Sequence, residues 1–193
     1  MIEAIQTAKK YRKRDILFSI TAIFAAIWLF HFGIVAFYRS AYPIKYSEAV
    51  ETGCRLNDLP PALVYAVIRT ESGFNPDAVS SVGATGLMQI TKDTHHWVLF
   101  KLGEEAKSSD LLFDCDENIR IGTALLRLLL DEFDSVENAL CAYHAGWGNA
   151  KSWLSSPEIS PDGTQIENIP FGDTERYVRK VLETQKIYEN LYR

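Results

Sequence analysis

Residues 60–72 read P-P-A-L-V-Y-A-V-I-R-T-E-S, and this stretch decides the fold around it. The two prolines suit the first turn of a helix, where a backbone N–H has no intrahelical partner in any case. Three aliphatic residues and one acid then recur at the spacing i, i+3, i+4 and i+7: Val64, Val67, Ile68 and Glu71. The spacing predicts a helix that turns a hydrophobic stripe toward a core.

Glu71 ends this hydrophobic stripe and is the most informative single position. A carboxyl group among aliphatic side chains is costly, because desolvation favours its neutral form and raises its pKa. A general acid needs such a raised pKa at near-neutral pH. The structural alternative is that Glu71, close to the end of the helix, bends into solvent. The helical spacing alone leaves both interpretations open.

The rest of the chain from residue 47 onward is also helical in pattern, which predicts a mainly α domain. No stretch shows sustained alternation with period two, which argues against a large sheet. Residues 74–86, rich in Ser, Gly and Ala, predict a close-packed loop or small hairpin, and residues 155–170 predict a surface excursion. Further helices are predicted at residues 47–56, 91–102, 116–133, 136–145, 148–154 and 174–192, with 116–133 as the central buried one.

Residues 16–38 form an apolar segment without any Asp, Glu, Lys or Arg. About 20 such residues span a bilayer as a helix, so the segment predicts one transmembrane helix in contact with lipid. Five Lys or Arg residues precede it within residues 9–14, so the positive-inside rule places the N-terminus in the cytoplasm and the rest outside. A cleaved signal peptide is the alternative, but its apolar region is shorter and ends in small residues, whereas this one ends in Phe37 and Tyr38. The predicted order is a basic cytoplasmic tail (1–15), a transmembrane anchor (16–38), a tether (39–46) and an outer domain (47–193).

Charge and residue types narrow the possible ligands. The formal net charge is -5, and the residues after 38 hold 15 basic against 23 acidic side chains. Nucleic-acid binding depends on Lys and Arg that neutralise phosphates, so an acidic outer domain argues against it. His95 and His96 are sequence neighbours that point in different directions on a helix, so we predict no metal site and no cofactor. The three cysteines are expected to act as small buried hydrophobic residues rather than as a disulfide framework; they are Cys54, Cys115 and Cys141. A single disulfide is left open.

Five short strings follow one another along the chain: E-S-G-F-N-P (71–76), S-S-V-G-A-T-G-L-M-Q-I (80–90), N-I-R-I-G (118–122), A-Y-H-A-G-W-G-N (142–149) and I-P-F-G-D-T-E-R-Y-V (169–178). Together they resemble the signatures of the catalytic domain of soluble-type lytic transglycosylases, which is related to goose-type lysozyme. Each string alone is modest evidence, but five in the same order are specific. The resemblance covers about residues 45–192 and implies a lysozyme-like helical fold.

The resemblance also implies roles for individual residues. Glu71 corresponds to the family's single catalytic acid and base. The implied substrate-binding positions are Ser72, which helps to close the catalytic helix, then Ser80, Gln89, Tyr143, His144 and Tyr177. Each has a structural alternative: the serines as helix-end or turn residues, Gln89 as a buried hydrogen-bonding residue, and the tyrosines as packing residues.

His144 departs from the family pattern, which usually reads A-Y-N-A-G. An Asn amide donates and accepts at once, whereas a neutral His does so through two ring nitrogens with different geometry. The open alternatives are a substitution within a structural hydrogen bond and the gain of a second base. The last signature also departs, because Asp173 and Glu175 stand where Glu and Arg are common.

The implied activity is non-hydrolytic cleavage of bacterial peptidoglycan between N-acetylmuramic acid and N-acetylglucosamine, which leaves 1,6-anhydromuramic acid ends. The implied partner is the glycan strand, and the sequence predicts no particular protein partner. The matching signatures contain no second carboxylate, apart from Asp173 far along the chain, whereas most glycosidases use two. Two alternatives stay open: a hydrolytic muramidase on the same scaffold, and an inactive glycan-binding scaffold protein of the envelope. The implied location is the bacterial cytoplasmic membrane, single-pass, with the catalytic domain on the extracytoplasmic face.

Overall fold

A computed structural model describes the backbone of residues 2–192 and the side chains of residues 15–192. Within this range regular structure is helical, with two isolated antiparallel bridges, so the expected mainly α class is confirmed. The helices are α1 (Ile2–Ala41), α2 (Ser47–Asn57), α3 (Pro61–Glu71), α4 (Lys92–Lys101), α5 (Cys115–Phe133), α6 (Val136–Ala145), α7 (Trp147–Leu154) and α8 (Gly172–Leu191), with a 3₁₀ helix at Ser109–Phe113. The 3₁₀ helix and the helical backbone of residues 2–15 and 39–41 were not expected from the sequence.

The N-terminal helix α1 contains a segment, Asp15–Ala41, that is long and apolar enough to cross a membrane. This statement rests on length and composition only, and a signal sequence near the N-terminus meets the same criteria. The helix continues through Ala41, so residues 39–41 of the expected tether are helical. The side chains of the basic cluster at residues 9–14 lie outside the described ones. The chain divides into two compact units between Pro43 and Ile44.

Helices α3 and α5 form the centre of the C-terminal unit, Ile44–Arg193. Every side chain of α3 from Leu63 to Ile68 is buried, and α3 packs against α8. Helix α5 packs against α2 and α6 and buries the face that carries Ile119, Leu126 and Leu129, as its sequence pattern predicts. The C-terminal end of α3 is less enclosed, because Glu71 and Ser72 are partly buried and Gly73 is exposed.

The segment that follows α3 forms a close-packed loop with hairpin-like pairing. Thr85 pairs with Val79 and with Ile90 through the two isolated bridges. Gly86 adopts a φ of +78° and passes so close to Asn118 that a Cβ atom would collide with that side chain. The expectation of a loop or small hairpin in this region is confirmed.

Asn118 of α5 holds this loop in place and is 1% exposed. Its Nδ2 donates to the backbone oxygens of Thr85 (2.9 Å) and Leu112 (2.8 Å), and its Oδ1 accepts from the backbone N–H of Met88 (2.8 Å). Three of the four hydrogen-bonding positions of the amide therefore serve the loop and the 3₁₀ helix. A single side chain thus fixes two segments that have little regular structure of their own.

The expected surface excursion at residues 155–170 is exposed only in part. Asn138 of α6 donates to the backbone oxygen of Thr164 (2.8 Å) and accepts from the backbone N–H of Ile166 (3.0 Å). Ile166 is 4% exposed and Ser160 is 2% exposed. The expectation is wrong for these two residues, because a buried amide on α6 draws the segment onto the core.

The three cysteines are free thiols. Cys54 and Cys141 are buried, and Cys115 is partly buried. The expectation of small buried hydrophobic residues is confirmed for the first two, and the single disulfide left open by the sequence is not formed.

We expect the substitution Asn118→Ala to lower the free energy of unfolding of the full chain, purified in detergent, by about 2–4 kcal/mol. Two buried carbonyl groups and one buried N–H would lose their partner at the same time. Urea unfolding followed by near-UV circular dichroism measures the change. The matched control is Asn149→Ala, an exposed asparagine on α7, for which we expect a change within about 0.5 kcal/mol. Equal losses in both variants would contradict the assigned role of Asn118.

Candidate active site

Glu71 is the last residue of α3 and faces a cleft of about 920 Å³. Val64, Val67 and Ile68, which precede it on the same stripe, are fully buried. The carboxyl group keeps partial exposure to the cleft, but the surrounding protein desolvates it and raises its pKa to about 7. The hydroxyl of Tyr177 and the charge of Lys180 act in the opposite direction and lower the pKa. The structure therefore excludes the alternative in which Glu71 bends into open solvent.

Tyr143 and Tyr177 both lie near this carboxyl group. Burial raises the pKa of each phenol, and the negative charge of Glu71 raises both further. The Tyr143 hydroxyl donates to the backbone oxygen of Met88 (2.7 Å), so it also secures the loop after α3. The Tyr177 hydroxyl is buried without a hydrogen bond of regular geometry, yet it lies close enough to Glu71 to stabilise the charged carboxylate. The structure thus brings together the three residues that the sequence predicted around the reaction centre.

Ser80 and Gln89 line the cleft, and both also shape its wall. The Ser80 hydroxyl accepts from the backbone N–H groups of Val82 (3.3 Å) and Ala84 (3.0 Å). The Gln89 side-chain amide donates to the backbone oxygens of Ala78 (3.1 Å) and Gly86 (3.0 Å). Each side chain retains hydrogen-bonding capacity beyond these bonds, a hydroxyl proton on Ser80 and a carbonyl oxygen on Gln89.

Ser72 lies outside the lining of the cleft. Its hydroxyl donates to the backbone oxygen of Leu87 (2.8 Å) and accepts from the backbone N–H of Phe74 (3.2 Å). These bonds close the end of α3 and attach it to the loop. Ser72 therefore has a structural role beside Glu71. Its position outside the cleft lining does not support direct contact with a substrate.

His144 lines the cleft and connects α6 to α8. Its Nδ1 lies 3.0 Å from the Thr174 hydroxyl, and its ring stacks on Tyr177 with the ring centroids 4.5 Å apart. Although the residue is exposed by area, nearby protein atoms desolvate the ring and lower its pKa, while the charge of Asp173 raises it. Of the two alternatives for this position, the structural hydrogen bond is present.

Sequence reasoning missed the far wall of the cleft. Asp93, Trp97 and Lys101 of α4 line it at the spacing i, i+4 and i+8, and Trp147 of α7 lines it from another side. Lys101 lies over the Trp97 ring, with its Nζ 5.6 Å from the centroid. The i, i+4 and i+8 spacing on α4 could have indicated these three residues from the sequence, but none of them belongs to a recognised string. Trp147 does belong to one.

No carboxylate is among the groups that shift the pKa of Glu71 in the described part of the chain. The acidic residues that line the same cleft are Asp93, Asp131 and Glu132. Asp131 forms an ion pair with Arg127 (2.6 Å), and Glu132 forms one with Lys151. A carboxylate close to Glu71 would raise its pKa by like-charge repulsion, so this arrangement describes one desolvated acid rather than a pair.

Comparisons with known proteins agree with this geometry. Residues 51–165 match the family model described as the transglycosylase SLT domain. The chain is 32% identical over 151 residues to the soluble lytic murein transglycosylase of Escherichia coli K12, covering 76% of this chain and 23% of that protein. It is also 32% identical over 168 residues to the membrane-bound lytic murein transglycosylase C of Pectobacterium atrosepticum, covering 75% of this chain and 46% of that protein.

Two solved structures share the fold. An inactive Glu-to-Gln mutant of the lytic transglycosylase Slt from Pseudomonas aeruginosa superposes with a TM-score of 0.68 at 33% identity, over 78% of this chain and 25% of that one. The 70 kDa soluble lytic transglycosylase of Escherichia coli gives a TM-score of 0.72 at 30% identity, over 79% and 25%. The chain spans less than half the length of these relatives. Because the family model matches more than half of its residues, the chain belongs to the transglycosylase SLT domain family and has its lysozyme-like helical fold.

Proposed function

We propose that this chain is a membrane-anchored peptidoglycan lytic transglycosylase in which Glu71 acts as both acid and base. The observation that carries the proposal is the Glu71 carboxyl group, desolvated at the wall of a cleft with its pKa raised to about 7. Relatives named lytic murein transglycosylases, and an inactive relative in which a Glu is replaced by Gln, support the same assignment.

The proposed reaction begins with protonated Glu71, which donates its proton to the glycosidic oxygen between N-acetylmuramic acid and N-acetylglucosamine. The resulting carboxylate then accepts the proton of the muramoyl C6 hydroxyl as that oxygen attacks C1. The products are a 1,6-anhydromuramic acid end and a free C4 hydroxyl on the N-acetylglucosamine side, and no water is consumed. A pKa near 7 lets one group serve as acid and then as base at neutral pH.

Tyr177 stabilises the ionised form of Glu71 in this scheme. Its hydroxyl favours the ionised carboxylate, which exists between the two proton transfers. Positive charge that develops at C1 needs stabilisation, and the candidates are the N-acetyl group of the substrate and the two tyrosine oxygens. The assignment needs neither a metal ion nor an organic cofactor.

A hydrolytic muramidase is the competing reaction on this scaffold. It would need a second carboxylate, about 5–5.5 Å from the first in a retaining enzyme and further away in an inverting one. Of the cleft carboxylates, Asp131 and Glu132 are engaged in ion pairs, and neither these two nor Asp93 acts on the pKa of Glu71. These observations favour attack by the C6 hydroxyl over attack by water.

We further propose that α1 crosses the cytoplasmic membrane once, with the N-terminus inside and the catalytic unit outside. Asp15–Ala41 is long and apolar enough to span it, and the basic residues at positions 9–14 favour retention of the preceding end in the cytoplasm. A relative that is itself named as membrane-bound supports the anchoring. Peptidoglycan strands on the outer side would then be within reach of the cleft.

Digestion of purified peptidoglycan by the full chain in detergent is expected to release anhydromuropeptides. Mass spectrometry would find them lighter than the products of a hydrolase by one water, since the C6 hydroxyl replaces water as nucleophile. Glu71→Gln should abolish the products, while Glu158→Gln, at an exposed site, should leave them unchanged. Reducing-end products from the unchanged chain would identify a hydrolase, and binding without any product would identify a scaffold protein.

Glu71→Gln should also make the protein more stable above neutral pH. An unfolded Glu loses its proton near 4.5, whereas folded Glu71 keeps it until about pH 7, so folding stability falls as the pH rises between these values. Gln has no charge and avoids this loss, so we expect a gap of about 1–3 kcal/mol in favour of the variant at pH 8 that shrinks at pH 5. Urea unfolding at both pH values measures it, and a gap independent of pH would contradict the raised pKa.

A fusion of alkaline phosphatase to the C-terminus should be active in intact cells and remain in the membrane pellet after an alkaline wash. Replacement of the five basic residues at positions 9–14 by Gln should lower the phosphatase activity, because the charge difference that orients the helix is removed. A fully active enzyme released into the soluble fraction would instead indicate a cleaved signal peptide.

A further inference from the structure

We propose that His144 is a positioning residue that holds Tyr177 against the Glu71 carboxyl group through its ring. The inference rests on the proposed function of Glu71 as acid and base. It assigns to His144 neither sugar binding nor a second proton transfer, and it concerns a position at which this chain departs from the family pattern.

The contacts of His144 reach two residues that lie three positions apart on α8. The Nδ1 atom is 3.0 Å from the hydroxyl of Thr174, which is 1% exposed, and the ring stacks on Tyr177 at an interplanar angle of 29°. The hydrogen bond attaches His144 to the start of α8, and the ring presents its face to the tyrosine. One side chain from α6 therefore sets both the start of α8 and the orientation of the phenol.

Tyr177 needs such support because its hydroxyl is buried without a hydrogen bond of regular geometry. The phenol oxygen acts on Glu71, and the contacts that orient its ring include the stacked ring of His144. A stacked aromatic partner restricts the ring directly. The usual asparagine at this position has an amide that can reach Thr174, but it has no ring to stack on Tyr177.

The pH dependence of the site involves the charged and titratable groups that face Glu71 and His144. Glu71 faces Tyr177 and Lys180 of α8 and Tyr143 of α6, and His144 faces Asp173. The hydroxyl of Tyr177 favours the ionised form of Glu71, so a loosened phenol raises the pKa of the carboxyl group further. It also weakens the support of the carboxylate between the two proton transfers, which lowers kcat and leaves KM largely unchanged.

Two variants of His144 separate the ring from its hydrogen bond. His144→Phe keeps a ring and should retain a pH profile and kcat close to those of the unchanged chain. His144→Asn keeps an amide that can reach Thr174 but has no ring, and it should lower kcat about two- to tenfold with KM within about twofold. It should also move the alkaline limb of the pH profile upward by about one pH unit. His96→Asn, a partly buried histidine on α4, is the matched control and should change neither.

A double-variant cycle gives the decisive comparison. In a Tyr177→Phe background the hydroxyl is absent, so His144→Asn should cause no further shift of the limb. A rise in KM with an unmoved limb would overturn the proposal by identifying His144 as a sugar contact. Damage from His144→Phe with none from His144→Asn would overturn it by making the hydrogen bond, not the ring, the necessary part. Equal damage from both variants would overturn it by showing that a ring at this position is not sufficient.

A second readout follows the pKa of Glu71 without any product. The stability gap between the full chain and its Glu71→Gln variant, followed by urea unfolding from pH 5 to pH 9, reaches its plateau at the folded pKa of Glu71. In the His144→Asn background this plateau should move upward by the same pH interval as the activity limb. A moved plateau in a chain that makes no anhydromuropeptides would support the positioning role while the proposed function fails, and an unmoved plateau would overturn the positioning role.

Discussion

The desolvation of one carboxyl group is the constraint on which the rest of this domain depends. Glu71 is raised to a pKa of about 7 because α3 is enclosed by the core along the whole stripe that leads to it. Packing of α3 against α8 supplies that enclosure and also brings Tyr177 and Lys180 to the carboxyl group. The same contact therefore desolvates the acid and supplies the two groups that lower its pKa, which is how the fold tolerates a costly residue at the wall of its cleft.

Three helices hold the loop beside Glu71 in place, in addition to the bonds within the loop. Ser72 at the end of α3 binds the backbone of Leu87, and Met88 is bound by Asn118 of α5 and Tyr143 of α6. These bonds converge on two consecutive residues, so the wall of the cleft is attached to the core at one place. A small displacement of any of the three helices is then transmitted to the loop that carries Ser80 and Gln89.

The parts of the fold that follow local periodicity were predictable, and the parts that need distant partners were not. The spacing of Val64, Val67, Ile68 and Glu71 predicted α3 because a helical period is written in adjacent turns. The 3₁₀ helix Ser109–Phe113 was missed because five residues hold too little periodicity, and its position depends on an amide of Asn118. The recognised strings predicted that Tyr143 and Tyr177 belong to the site of Glu71. The stacking of His144 was not predictable, because it depends on the approach of α6 to α8, which no local pattern encodes.

The buried thiols have a consequence for how the domain withstands its surroundings. Burial raises the pKa of Cys54 to about 11 and that of Cys141 to about 12, so both sulfurs stay protonated at physiological pH. Disulfide exchange and oxidation proceed through the thiolate, which these two residues scarcely form. These two core thiols are therefore poor substrates for oxidation and disulfide exchange in the folded domain.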